Sequence, residues 1–185
     1  MENKNKAGKL QDQIDRSLLN ERKIFLWGQV DDKTAKHIIE RMFYLDSIGN
    51  DEIQFYLNSP GGYVTSGFSI YDTMRSLKSP VSTICTGLSA SMASILLSAG
   101  TKGRRFIQPH AKVMIHQPSG GAQGQASNIE IQAAEILKIK DQSAKILAEN
   151  CNQPYDRIIK DFNRDYWMDA PESVKYGIVD EVLKN

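Results

Sequence analysis

Apolar residues recur along this chain in two alternating rhythms, which predicts an α/β protein. Short β-branched and apolar runs at 22–30, 52–58, 81–85 and 112–115 read as strands. Residues 9–20, 33–46, 64–77, 94–99 and 155–162 carry helical spacing instead. The longest helical pattern, 128–149, places Ile129, Ala133, Ile136, Ile139 and Ile146 near one face with polar residues opposite. Only part of so long a helix can pack on its own domain, the alternative being an ordinary core helix.

Composition narrows the picture. At 185 residues with 41% hydrophobic content, the whole chain, 1–185, reads as one domain able to build its own core. The formal net charge of +1 and the scatter of basic residues among apolar segments favour neither nucleic acid nor a membrane surface. No apolar stretch reaches the roughly 20 residues of a membrane span, and the start lacks the apolar centre of a signal peptide, so a cytoplasmic location is expected. Cys85 and Cys151 read as reduced packing residues, and three scattered histidines form no metal-ligand cluster.

Chemistry concentrates at strand ends. Ser91 lies in Gly87-Leu-Ser-Ala-Ser-Met-Ala93, between the 81–85 strand and the 94–99 helix. A serine at such a junction has unpaired backbone N–H groups beside it and small neighbours that admit a substrate. The G-x-S-x-G spelling of α/β-hydrolases is absent, and tight packing of strand on helix explains the same residues. Serine needs a base, and His116, at the end of the 112–115 strand, is the first choice. His37 falls in an amphipathic helix and His110 in a loop, both without catalytic duty.

No Asp or Glu occurs from Thr73 through Ile129, so no acid lies between Ser91 and His116, and a triad must take its acid from outside that stretch. Asp161, Asp165 and Asp169 form the short list near the end. Bulky neighbours would bury Asp165 against an imidazole, while an N-cap or a surface pair with Arg164 accounts for it equally well. The turn Ser59-Pro60-Gly61-Gly62 follows a strand and leaves its N–H groups open to one oxygen, together with that of Met92.

These segments, taken in order, resemble the ClpP family, the proteolytic subunits of the Clp protease. The likeness runs from about Leu10 to the C-terminus, through Tyr56-Leu-Asn-Ser-Pro-Gly-Gly62, Ser69-Ile-Tyr-Asp-Thr-Met74, Ser82-Thr-Ile-Cys85, Ala90-Ser-Met92, Val113-Met-Ile-His-Gln-Pro118, Gly124-Gln-Ala126 and Arg164-Asp165. It implies a crotonase-like α/β fold of repeated β-β-α units, Ser91, His116 and Asp165 as the triad, and Gly62 and Met92 as oxyanion donors. It further implies a handle at about 119–150, whose glycine-rich strand, 120–124, would pair with extended substrate through Gly61, Gly120, Gly121 and Gln123. Two stacked heptameric rings would enclose a degradation chamber fed with unfolded polypeptide by an AAA+ ATPase of the ClpX, ClpA or ClpC type. That partner would use the ATP, and the subunit itself would need no cofactor and no metal.

Several positions depart from the family pattern. Asn163 stands where an acid commonly pairs with an arginine of the opposite ring, leaving Arg164 to make the oligomer contact. Ala93 replaces a common glycine and Ala134 a common arginine, and the region before Leu10 does not match the axial hairpin. The positions matching the ATPase-docking pocket are Gln54, Tyr56, Ser76, Ile84, Thr86, Phe106 and Gln108, of which four are polar. Each unpaired polar group would cost about 1 to 3 kcal/mol to cover with an apolar loop. Weak docking, and work beside a paralogous ring, is therefore expected. The expected activity is ATP-dependent serine endopeptidase. The alternatives are an idle structural ring subunit and, more remotely, a crotonase-type acyl-CoA enzyme.

Overall fold

The computed structural model describes residues 2–184, with side chains from 8 onward. Helix α1 (Glu2–Asn20) is longer than its expected span and leads into β1 (Lys23–Trp27), α2 (Asp32–Ile48), β2 (Ile53–Ser59) and α3 (Val64–Ser76). Then follow β3 (Val81–Ala90), α4 (Met92–Ser98), β4 (Arg105–Ile107), β5 (Lys112–Ile115) and α5 (Ala126–Cys151). The chain ends with α6 (Tyr155–Asp161), β6 (Tyr166–Met168), α7 (Ala170–Tyr176) and β7 (Glu181–Val182). No helix is long and apolar enough to cross a membrane among the described residues.

One sheet runs β1-β2-β3-β4-β7 with every neighbour parallel, and β5 joins β3 while pairing antiparallel with β6. β3 is the pivot, because its first half, Thr83–Cys85, pairs with β4 and its second half, Leu88–Ala90, pairs with β5. The register of β2 on β3 shifts between Leu57 and Ser59. Asn58 fills the gap by accepting the Leu88 N–H on Oδ1 at 3.1 Å. Alternation puts Ile24, Leu26, Phe55 and Leu57 into the core, where Ala35, Ile38, Met42 and Leu45 of α2 and Ile70 of α3 cover them.

The opposite face carries Phe25, Tyr56, Ile84 and Phe106 in one row across four strands, with Phe25 stacked on Tyr56 at 5.2 Å. The expected docking positions of β2, β3 and β4 share this face. Of the four polar docking positions, Gln54 and Thr86 on these strands and Ser76 at the end of α3 each make a side-chain hydrogen bond within the chain. The Tyr56 hydroxyl donates to Gln54 Oε1, Ser76 Oγ to the Thr73 carbonyl, and Thr86 Oγ1 to the Leu57 carbonyl. Groups paired in this way cost less to cover, so the ground for expecting weak docking narrows.

Helix α5 is both core and projection. Its C-terminal part buries Ser143, Ala144, Leu147, Asn150 and Cys151, while Ile129, Ile131 and Leu137 toward its start stay exposed. The preceding 120–124 segment, expected as a glycine-rich strand, is irregular here. Extended backbone needs a partner for its N–H and C=O groups, and among the described residues no strand lies alongside it.

The ends of α4 and α5 converge on one buried guanidinium. Arg105 donates Nη1–H to the Asn150 carbonyl at 2.8 Å and binds Asp180 through Nε at 3.0 Å and Nη2 at 2.5 Å. Burial opposes ionisation of Asp180, yet the hydrogen bonds and charge of Arg105 outweigh it and hold the carboxyl below its ordinary value. This stabilisation is therefore present at neutral pH and is lost as pH falls through the depressed value. Arg105→Met, which leaves Asp180 without its partner, is predicted to lower unfolding free energy by about 3 kcal/mol. Urea denaturation at neutral pH measures it.

Candidate active site

Parallel pairing sets the C-terminal ends of β2 and β3 side by side, and the polar chemistry gathers there. β3 runs five residues past its expected end and stops at Ala90, so that Ser91 alone makes the bend into α4. Ser91 has φ 55° and ψ −124°, a conformation that costs a non-glycine residue roughly 1 to 3 kcal/mol and persists only when its surroundings hold it. Three contacts do so. Its N–H donates to the Met114 carbonyl of β5 at 2.9 Å, and its carbonyl accepts from Ser94 N at 3.0 Å and Ser94 Oγ at 2.6 Å.

The bend turns the Ser91 hydroxyl toward β5. Ser91 Oγ lies 2.8 Å from His116 Nε2, and His116 Nδ1 lies 3.1 Å from Asp165 Oδ1. The tautomer protonated on Nδ1 satisfies both, with Ser91 donating to Nε2 and Nδ1–H donating to the carboxylate. Asp165 is thus singled out from the short list. Asp169 instead caps α7 by accepting the Glu172 N–H at 2.9 Å, and Asp161 accepts from the Tyr176 hydroxyl at 3.1 Å. The Asp165 side chain is 60% exposed rather than buried, because its bulky neighbours Tyr166 and Trp167 enter β6 and leave the carboxylate at the strand's open end.

The glycine turn completes the site. Gly61 donates its N–H to Ser59 Oγ at 3.0 Å, and its carbonyl accepts the Val30 N–H at 2.9 Å. A Cβ on Gly61 would fall 2.7 Å from the Ala90 carbonyl oxygen, 2.8 Å from Ser91 Cβ and 2.9 Å from Met92 N. The turn therefore lies directly on the serine bend. Gly62 is bridged to Val30, where a Cβ would fall 2.2 Å from the Val30 oxygen. Among the described residues, neither the Gly62 nor the Met92 N–H has an acceptor. Two free donors beside an activated hydroxyl can hold the oxyanion of acyl transfer.

The other expected residues divide. Gly120 shares a cleft of about 420 Å³ with His116, Gln117, Ile136, Asn163, Arg164 and Asp165. Gly121 and Gln123 lie outside its lining, exposed in the irregular segment. A larger cleft of about 640 Å³, between β1 and α2, includes His37 but none of this chemistry. His37 there contacts Arg41 Nη1 through Nδ1 at 2.6 Å. Cys85 and Cys151 are both free and buried, and burial pushes the Cys151 thiol up to about 12. No cluster of three metal-ligating side chains occurs among the described residues. Ser59 and Gln117 carried no expected role, since one hydroxyl or amide in a sequence gives no sign of which backbone group it meets.

Comparison with known proteins agrees with this geometry. A family model described as Clp protease matches residues 5–185. This chain belongs to the Clp protease family. It is 52% identical over 168 residues to the ATP-dependent Clp protease proteolytic subunit of Porphyromonas gingivalis (strain ATCC BAA-308 / W83), covering 90% of this chain and 76% of that protein. Membership makes the subunit a serine-type peptidase with the crotonase-like α/β fold of that family.

Gly61→Ala is predicted to lower turnover about 100-fold or more, by forcing the turn off the serine bend. Peptidase assay beside circular dichroism checks it.

Proposed function

We propose that the assembled subunit hydrolyses peptide bonds of unfolded protein, with Ser91 as nucleophile, His116 as general base and then acid, and Asp165 as the residue that orients the imidazole. The observation that carries this reading is the unbroken relay Ser91 Oγ to His116 Nε2 at 2.8 Å and His116 Nδ1 to Asp165 Oδ1 at 3.1 Å. Ser91 Oγ attacks the carbonyl carbon while its proton passes to Nε2. The oxygen, now negative, accepts from Gly62 and Met92 N–H. As the carbonyl re-forms, the C–N bond breaks and Nε2–H protonates the departing amine. Water then adds to the acyl-enzyme, its proton going to Nε2 and returning to Ser91 as the carboxylic acid leaves.

The same reading gives the subunit no cofactor of its own. Its relative's name carries ATP dependence, and here a Clp-type AAA+ ATPase would spend the ATP and deliver the chain. Paired polar groups on that sheet face weaken the case for a paralogous ring in that docking without removing it. The exposed apolar half of α5 suits it to meet a second copy across stacked heptameric rings, with Asn163 and Arg164 near that contact. Two free buried thiols suit a reducing, cytoplasmic setting.

Ser91→Ala is predicted to abolish both peptide cleavage and fluorophosphonate labelling while preserving assembly mass. Labelling at another residue, or activity that survives the substitution, would refute the assignment.

A further inference from the structure

The triad is held unevenly. Ser91 is gripped by hydrogen bonds on both sides, whereas Asp165 is largely exposed and gains no security from burial. Its position depends on the backbone that enters and leaves it. On the leaving side, Tyr166 pairs with Ile115 in the β5–β6 ladder. On the entering side, the chain from α6 turns through Phe162, Asn163 and Arg164, and Gln117, the residue after the base, holds that turn from both its backbone and its side chain. Gln117 N donates to the Phe162 carbonyl at 2.6 Å, and Gln117 Nε2 donates to the Asn163 carbonyl at 2.9 Å. The Asn163 side-chain oxygen adds a longer contact at 3.4 Å. Among the described residues the Asn163 carbonyl accepts from no other donor.

We propose that the Gln117 carboxamide is a positioning residue for the peptidase reaction: it clamps the turn before Asp165 so that the carboxylate stays on His116 Nδ1. The backbone bond from Gln117 survives any substitution there except proline, so the side chain makes the adjustable part of the clamp. A side-chain donor is needed because the turn presents carbonyl oxygens to it. Glutamate has the same reach and no N–H to offer, and its charge would face the Asn163 oxygen. Displacing a catalytic group by about 1 Å can cost on the order of 100-fold in rate, so loss of one such bond should be visible in turnover.

The inference rests on the Ser91–His116–Asp165 assignment, and a double-mutant cycle on the assembled protein separates the two. The reading is the rate at which a fluorophosphonate labels Ser91, with kcat and KM for a short peptide beside it. Four proteins are compared: the natural sequence, Gln117→Ala, Asp165→Asn and the double variant. Gln117→Ala is expected to slow labelling and kcat about tenfold with KM unchanged. In the Asp165→Asn background the same change should cost less than about twofold, because the residue it positions is already disabled. Gln117→Glu, which keeps the bulk, should match Gln117→Ala and decides the matter if the alanine variant folds poorly. Labelling of Gln117→Ala at the natural rate would overturn the proposal. So would an equal loss in both backgrounds, the mark of a general structural role, or a raised KM at unchanged kcat, the mark of a substrate contact. If the natural sequence itself resists labelling, the triad assignment fails and takes this inference with it.

Discussion

The catalytic centre depends on a close approach between two pieces of backbone, the Gly61 turn and the bend at Ala90–Met92. Their separation leaves no room for a single carbon at Gly61. That constraint requires the rest of the arrangement. β2 and β3 must be adjacent and parallel so that their C-terminal ends meet. The β2 register must slip by Asn58, and Ser59 must accept the Gly61 N–H to close the turn. Ser91 must leave its strand in a strained conformation, since an ordinary helical entry would draw the hydroxyl away from β5. The free N–H groups of Gly62 and Met92 then flank the nucleophile as a consequence of packing, and their preorganisation costs nothing further at the moment of reaction.

The two arms of the triad are built to different standards. The nucleophile's arm is enclosed, threaded by β3, β5 and α4, and supported through Thr83 and Arg105 at the far end of that helix. The acid's arm is a short antiparallel pairing and a clamped turn at the chain's surface, beside the irregular segment that precedes α5. Exposure lowers the cost of moving Asp165, and the turn that carries it forms one wall of the same cleft as Gly120 and Ile136. Whatever packs against the projecting half of α5 therefore bears on the less secure arm rather than on the nucleophile.

Much of this was legible from residue pattern. Alternation located four strands and the main helices, and the acid-free stretch from Thr73 to Ile129 restricted the triad's acid before any geometry was known. What escaped notice depends on contacts between distant segments. The strands β4, β6 and β7 are two or three residues long and exist only because longer neighbours pair with them. The capping box of α7, Asp169 with Glu172, marked a helix start that the aromatic stretch before it obscured. Bulky neighbours suggest burial of Asp165, but Tyr166 and Trp167 belong to β6 while Asp165 precedes it, so they pack along the strand and do not enclose the carboxylate. The 120–124 segment has the glycines of an extended strand and, in the single chain, no partner to extend along.

With Ser91 Oγ bonded to a substrate's carbonyl carbon, the N–H groups of Gly62 and Met92 should both reach the oxygen of that carbonyl. A crystal structure of the assembled protein inhibited by a peptide boronic acid tests it directly. The expected result is a tetrahedral boron on Ser91 Oγ, with one boronate oxygen accepting from both N–H groups at about 2.7 to 3.1 Å. A boronate bound to Ser91 whose oxygens face solvent, with either N–H occupied by a protein acceptor, would contradict it.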